Sequence, residues 1–176
     1  DGLLLFGLKG RERYDGYLSN EWADGYVVFP LEGEPVHVTW TATRILRRMQ
    51  QLDEAPWIPD MRVGRYGPTM IAVLTEKGLG KARIGVLGLD THGPAEGEGI
   101  VPYNTWKTVI EGLPHASFVE VSHDYTGRML AKSEEEIALY RWASKVGEKA
   151  CEAMLDAVRP GASEHHIFSE VMRVVF

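Results

Sequence analysis

The sequence has one cysteine, no excess of basic residues and no long apolar run. Cys151 stands alone, which excludes an internal disulfide and a multi-cysteine zinc site and favours a reducing compartment, so a cytoplasmic location is expected. A net charge of −6 lacks the concentrated Lys and Arg that nucleic acids and anionic membranes attract, so neither is expected as a partner. Apolar runs such as 2–7 fall far short of the roughly 20 residues that cross a bilayer.

Fingerprint motifs for nucleotide binding are also missing. Gly85, Gly88 and the glycine-rich run 93–99 invite a nucleotide-binding interpretation. However, neither G-x-G-x-x-G nor G-x-x-x-x-G-K-[ST] occurs, and the two glutamates within the run would repel a phosphate. A plain loop that follows a strand is the better interpretation.

The nearest approach to a metal cluster is two histidines with two glutamates. His165 and His166 lie between Glu164 and Glu170, but adjacent residues of a helix point about 100° apart, so the two histidines cannot share one ion. His166 and Glu170 lie one turn apart, and a polar helix start accounts for the segment. No catalytic triad can be assembled either, so neither a catalytic nor a metal-binding residue is assigned to this chain.

What is present is the composition of a folded protein. The chain has 176 residues, of which 44% are hydrophobic and 25% are charged. Because one domain usually has roughly 100 to 150 residues, this length predicts one soluble domain and a remainder.

Strands alternate with helices in the first part of the chain. Short runs rich in Val, Ile, Leu and Phe predict strands, and apolar residues at spacings of three and four predict amphipathic helices. The predicted strands are 3–6, 25–31, 36–40, 83–89 and 117–121, with a short extended segment at 57–63, and the predicted helices are 43–52, 69–77 and 102–111. The pattern predicts an α/β fold with a mixed, mainly parallel sheet that contains an antiparallel hairpin and is flanked by helices.

The pattern changes near residue 130. Ser133 and Glu136 have the spacing of a capping box, which predicts the start of a helix that continues to about Val158. Ser163 can cap a second helix. We therefore expect a first domain at 1–130 and, at 131–176, a linker and two helices that begin a second domain. The first strand looks like the continuation of an upstream sequence, and no polar residue or glycine ends the last helix. Both ends of the chain are therefore expected to be truncated.

One loop has the composition of a binding surface. The segment 11–22 contains two arginines, two tyrosines and a tryptophan, which supply fixed charge and rigid contact area. The alternative is a loop whose aromatic side chains pack beneath it, and the sequence does not decide between these two interpretations.

The joint between the two parts resembles that of a known family. The stretch 128–143, RMLAKSEEEIALYRWA, and the turn 159–164, RPGASE, are similar to the joint between the two domains of the creatinase, prolidase and Xaa-Pro aminopeptidase (M24 metallopeptidase-like) family. The family pattern is a Lys-Ser-x-x-Glu-Ile helix start and a Pro-Gly-x-[ST]-Glu turn. Arg13-Tyr14-x-Gly16 and the strand that follows resemble the family's amino-terminal domain, although Asp15 stands where the family often has Thr or Ser.

The resemblance implies the amino-terminal domain of a metal-dependent Xaa-Pro peptidase that acts on short peptides or small amides. It implies a pita-bread catalytic domain, begun near Ser133 and incomplete here, that binds two divalent ions (Mn, Co or Zn), so this chain alone is expected to be inactive. It also implies a homodimer in which Arg13, Tyr14 and Trp22 line the partner's pocket. A creatinase-like hydrolase of carbon–nitrogen bonds and a metal-free scaffold protein remain the alternatives.

Overall fold

The computed structural model of the protein describes residues 2–7, 25–40, 47, 50, 51, 53, 55–91 and 99–176. The chain divides into two compact units, Asp1–Arg128 and Met129–Phe176. The first unit contains the described strands, and the second contains the two longest described helices.

The first unit is built on a mixed sheet. Its described strands are β1 (Gly2–Gly7), β2 (Gly25–Pro30), β3 (Val36–Thr39), β4 (Met61–Val63), β5 (Arg83–Val86) and β6 (Ser117–Glu120). They lie in the order β4-β3-β2-β1-β5-β6. Only β2 runs antiparallel to its neighbours, whereas β1 with β5, β5 with β6 and β3 with β4 are parallel. The predicted α/β class, with a mixed and mainly parallel sheet, is confirmed.

The predicted hairpin is formed by β2 and β3. Val28 pairs with Val36 and Gly25 pairs with Thr39. Gly33 lies in the connecting turn at a φ of 96°, a conformation that costs glycine little because it has no Cβ. The turn therefore lies between the predicted strands 25–31 and 36–40, as the predicted hairpin requires.

Three described helices follow the strands of this unit: α1 (Tyr66–Glu76), α2 (Tyr103–Gly112) and α3 (Ser122–Met129). Helix α1 begins three residues before the predicted start at Thr69. Pro68 lies in its first turn, where proline's missing amide hydrogen has no intrahelical partner to lose. Gly78 follows the C-cap at a φ of 75°, a left-handed conformation that is common for glycine at this position. The predicted helix 43–52 falls largely outside the described residues.

Two elements differ from the sequence prediction. Helix α3 was not predicted, because its eight residues include Gly127 and its only large aromatic side chain is Tyr125. Tyr125 packs against a buried cluster around Val27 and Leu87, so contact with the sheet supplies the stability that the local sequence lacks. Strand β5 ends at Val86 rather than Leu89 because the chain turns at Gly88, which has a φ of 94°.

The core lies on both faces of the sheet. Alternate residues of a strand point to opposite faces, so Tyr26 and Val28 face one side and Val27 the other. One cluster joins β2, β3 and β5 to helices α1 and α2, and it comprises Tyr26, Val28, Val36, Val38, Met70, Val73, Leu74, Leu79, Ile84, Val86, Val109 and Leu113. The other comprises Val27, Ile58, Leu87 and Ile100, with Phe29, Val121 and Tyr125 packed against it.

The second unit is a pair of helices, α4 (Glu134–Ala157) and α5 (Glu164–Val175). The capping box is confirmed: the Glu136 amide donates to Ser133 Oγ at 3.2 Å, and the Ser133 amide donates to Glu136 Oε2 at 2.8 Å. At α5 the amide of His166 donates to Ser163 Oγ, and Gly161 turns the chain at a φ of 87°. Two helices do not define a pita-bread domain, so that prediction stays a proposal.

Among the described residues, no helix has the length and apolar character needed to span a membrane.

Candidate functional site

The three residues predicted to line a pocket lie outside the described part of the chain. Arg13, Tyr14 and Trp22 fall between Gly7 and Gly25, and residues 8–24 are not described. Their role as a binding surface therefore stays a prediction.

An aromatic pair lies at the closed end of the β2–β3 hairpin. The ring centroids of Phe29 and Trp57 are 5.8 Å apart, and 53% of Trp57 remains exposed. Leu31, in the adjoining turn, is 80% exposed, and Glu32 and Glu34 beside it are also exposed. We call residues 29, 31, 32, 34 and 57 the hairpin-tip surface.

The hairpin-tip surface has the composition of a contact surface. It offers a rigid aromatic ring and an exposed leucine, which are typical of protein interfaces, beside two carboxylates. The Lys77 ammonium donates to the Glu34 carbonyl oxygen at 3.1 Å and ties the turn to the end of α1. The sequence reasoning missed this surface, since Phe29 and Trp57 are far apart in the chain. The tryptophan between Pro56 and Pro59 was the available signal.

A second cluster lies at the carboxyl ends of β5 and β6, the edge where α/β sheets commonly bind ligands. The Gly88 amide donates to the buried hydroxyl oxygen of Ser122 at 2.8 Å, and the Ser122 amide donates to Glu120 Oε1 at 2.7 Å. His123 Nε2 lies 3.7 Å from Asp90 Oδ2, with both side chains exposed. Because Ser122 is buried and engaged in positioning β5, it cannot serve as a nucleophile for an external substrate.

The turn at Gly88 explains one of the glycines that invited a nucleotide-binding interpretation. A Cβ at this position would lie 2.9 Å from Ile100 Cγ1, while the Gly88 carbonyl accepts from the amides of Ile100 and Val101. Gly88 is therefore required by a tight turn of the backbone. Most of the glycine-rich run that follows, 92–98, lies outside the described residues.

His37 is the buried histidine of the sheet. Its side chain is fully buried, and burial lowers its pKa from 6.5 to about 4 because the charged form is poorly solvated there. A Cβ on Gly25 would lie 2.5 Å from His37 Nε2, so glycine is required opposite this ring. The side chain is a neutral core residue at physiological pH, and no external substrate can reach it.

Charged side chains near β4 link this strand to helix α1. Arg62 Nη2 lies 2.9 Å from Asp60 Oδ2 and 3.0 Å from Glu76 Oε1, which joins β4 to the end of α1. The hydrogen bond from Arg62 holds the pKa of Asp60 below its usual value. The three side chains are partly exposed and are paired with one another, so the role of the cluster is structural.

The two helices of the second unit enclose a polar cleft of about 540 Å³. It includes His166 and Glu170, the pair that lies one turn apart, and Arg173 Nε contacts Glu170 Oε2 at 3.1 Å. The other lining residues are Lys149, Glu152, Ala153, Asp156, Ala157, Arg159 and Val174. Within the described ranges, no three His, Cys, Asp or Glu side chains are placed to hold a metal ion.

Comparison with curated proteins places the chain beside a creatinase. No family model matches. The creatinase of Bacillus sp. (strain B-0618) is 21% identical over 171 residues, which cover 95% of this chain and 38% of that protein.

The fold also matches solved structures named as a Xaa-Pro dipeptidase, an X-Pro aminopeptidase and a prolidase. The Xaa-Pro dipeptidase from Bacillus anthracis is similar at a TM-score of 0.64 with 20% identity, over 99% of this chain and 44% of that chain. The X-Pro aminopeptidase from Thermotoga maritima MSB8 gives a TM-score of 0.72 with 14% identity, over 99% and 46%. The prolidase from Pyrococcus furiosus gives 0.62 with 15% identity, over 99% and 44%.

These matches confirm the resemblance that the joint and the amino-terminal pattern indicated. At these identities they show a shared fold. The chain spans less than half the length of each protein that it matches.

Proposed function

We propose that this chain is the amino-terminal, substrate-gating and dimerising part of a metal-dependent Xaa-Pro peptidase. The observation that carries the proposal is the structural match to three hydrolases whose names specify Xaa-Pro substrates or prolidase activity, over 99% of this chain. The capping box at Ser133, where the sequence resemblance is most specific, lies at the start of α4 and agrees with the proposal.

Metal binding is assigned to the part of the parent protein that this chain does not contain. The described residues offer no group of three metal ligands, so no catalytic step is assigned to them. When bound, two divalent ions such as Mn, Co or Zn would activate a water molecule for amide hydrolysis. This chain would contribute to substrate selection and assembly.

Gating would use the surfaces of the first unit. Arg13, Tyr14 and Trp22 are proposed to line the pocket of the partner subunit in a homodimer. The hairpin-tip surface adds Leu31 and the exposed part of Trp57 as contact area of the kind that interfaces use. A cytoplasmic setting, expected from the single cysteine, belongs to the same proposal.

The alternative function is hydrolysis of a carbon–nitrogen bond in a small non-peptide compound. The curated match to a creatinase favours it specifically. A metal-free scaffold with the same two domains is the further alternative.

The test compares the full-length parent with this chain. Metal analysis of the parent should find about two ions per subunit, and the parent should hydrolyse a Xaa-Pro dipeptide but not creatine. Hydrolysis of creatine alone would favour the second function, and a parent without metal or activity would favour the scaffold. This chain with added manganese or cobalt should hydrolyse neither substrate, so turnover by it would contradict the proposal.

A further inference from the structure

The β2–β3 hairpin closes at the amino edge of the sheet, which is the edge where the parallel strands begin. Pro30 of β2 and Ile84 of β5 both pair with Gly2 of β1, so these three residues form one row across the sheet. Because neighbouring strands lie about 4.8 Å apart, Pro30 and Ile84 are about 10 Å apart along this row. Residues just beyond the row, on the two sides of β1, therefore share the amino edge.

The two sides of β1 carry opposite charges at this edge. On one side, β2 continues into the hairpin-tip surface, where Glu32 and Glu34 are exposed. On the other side, the chain enters β5 through Lys81 and Arg83, which are also exposed. We call Lys81 and Arg83 the basic half of the amino edge and the hairpin-tip surface its acidic half. A single strand, β1, separates the two halves.

The acidic half has the chemistry that binds a cationic side chain. Trp57 packs against Phe29 and is 53% exposed, and the face of a tryptophan ring attracts guanidinium and ammonium groups. The carboxylates of Glu32 and Glu34 add the charged acceptors to which such groups donate. The bond from Lys77 reaches the backbone carbonyl of Glu34 rather than its carboxylate. The hairpin-tip surface is therefore suited to an arginine or a lysine.

We infer that this surface binds the basic half of a second copy of the chain, paired about a twofold axis near Gly2. A twofold axis at the middle of the edge exchanges its two halves, so the acidic half of each copy meets the basic half of the other. Pairing of the two hairpin tips alone would instead bring the glutamates of both copies together, which is unfavourable. In the inferred pairing Leu31, which is 80% exposed, becomes covered.

The inference rests on the proposed function, in which this unit dimerises, and adds a contact to the gating one. Residues 8–24, which include the proposed gating residues, join β1 to β2 beyond the pair Gly7 and Gly25. Gly7 lies roughly 17 Å from Gly2, since each residue of a strand adds about 3.3 Å. The two contacts are therefore made from opposite ends of β1. A parent protein that makes both of them assembles beyond a dimer.

Charge reversal in the full-length parent tests the pairing. Glu32→Lys with Glu34→Lys makes both halves of the edge basic, whereas Lys81→Glu with Arg83→Glu makes both halves acidic. In sedimentation velocity, each double variant should associate about 100-fold more weakly and run at half the mass of the unchanged parent, because like charges then meet. An equimolar mixture of the two variants should restore the larger assembly, because each contact then joins a basic half to an acidic half.

Two single substitutions provide the matched control. Lys81→Glu and Lys107→Glu each reverse one exposed lysine of the first unit, but Lys107 lies in the middle of α2, away from the amino edge. Lys81→Glu should weaken association about 10-fold, and Lys107→Glu should leave it unchanged. Circular dichroism establishes which variants are folded, and Lys81→Glu carries the test if Arg83→Glu prevents folding.

The remaining outcomes separate the inference from the proposed function. An unchanged assembly in both double variants would overturn the inference and leave the proposed function standing. Dissociation of each variant without recovery in the mixture would also overturn it, since charge complementarity would not be the cause. A parent dimer that both double variants convert to monomers, with recovery on mixing, would support the inference and reject the gating dimer. The same loss and recovery in a parent that hydrolyses neither substrate would support the inference and reject the proposed function.

Discussion

The two units of this chain differ in how they remove apolar side chains from water. In the first unit, Val28, Leu74, Ile84 and other residues from the strands and helix α1 are fully buried, and helices and sheet cover one another. In the second unit, α4 and α5 carry exposed large side chains such as Trp142 and Leu155. The first unit therefore has a core of its own, whereas the second is a helix pair with an incomplete one.

Secondary structure and a closed core depend on different features of a sequence. The capping box and periodicity of α4 specify a long helix from local signals alone. They do not specify what covers its open face. Stability in the two units should consequently depend on different interactions, and substitutions can test this.

The largest expected effect is truncation in the first unit's core. Leu74→Ala should lower the free energy of unfolding by about 2 to 5 kcal/mol, because it removes buried apolar area and leaves a cavity. Leu155→Ala on α4 should change it by less than about 0.5 kcal/mol, because Leu155 is 70% exposed. Urea denaturation followed by circular dichroism measures both. Equal losses of stability would contradict the proposed difference between the buried core of the first unit and the exposed face of the second.

His37 should make the first unit sensitive to acid. Its folded-state pKa is depressed from 6.5 to about 4, so between these pH values the unfolded chain binds a proton that the folded chain does not. The destabilising effect of the buried His37 should be absent above pH 6.5. It should grow as the pH falls towards 4, by about 1.4 kcal/mol for each pH unit at most.

His37→Gln should remove that acid-dependent part of the loss, whatever it does to stability at neutral pH. Urea midpoints of the two proteins across this pH range provide the measurement, with exposed His123→Gln as the matched control. A pH dependence that is unchanged in His37→Gln would show that another group causes the acid sensitivity.

A buried hydroxyl should contribute more to the first unit than exposed hydroxyls contribute to the second. Ser122→Ala removes the acceptor of the Gly88 amide and should cost about 1 to 3 kcal/mol, because that buried donor is left unsatisfied. Ser169→Ala on α5 should be nearly neutral, since its exposed hydroxyl only donates to a carbonyl within its own helix. Thermal unfolding of the two variants decides whether burial is the determining factor.

The sequence predicted those elements whose signals are local. The hairpin turn at Gly33 and the start of α4 at Ser133 depend on backbone conformation and on side chains a few residues apart. Helix α3 was missed because Tyr125 is stabilised by residues distant in the chain. Burial within α4 was likewise not predictable from spacing: Ala157 is buried and Ala150 is half-buried, whereas Tyr140 and Met154 remain exposed.

The site was less predictable than the fold for the same reason. Contact between Phe29 and Trp57 depends on how the hairpin meets the segment before β4, which no local pattern encodes. The Gly88–Ser122 bond likewise joins the ends of two strands. Arg13, Tyr14 and Trp22 were selected by the composition of their loop and by the family resemblance, and they fall outside the described residues, so their role still depends on the gating proposal.

The smallest expected effect concerns the capping box, the feature that starts the second unit. Ser133→Ala removes the acceptor of the Glu136 amide and should destabilise α4 by about 1 kcal/mol. Because α4 is part of a helix pair with an open face, the loss should appear as fraying of its first turn, with faster amide hydrogen exchange at 134–137. Ser133→Asp keeps an acceptor at the N-cap and should restore slow exchange there. If Ser133→Ala instead lowered the unfolding midpoint of the sheet, the two units would unfold together. Their stabilities would then not depend on separate interactions, contrary to the difference proposed between a closed core and an open helix pair.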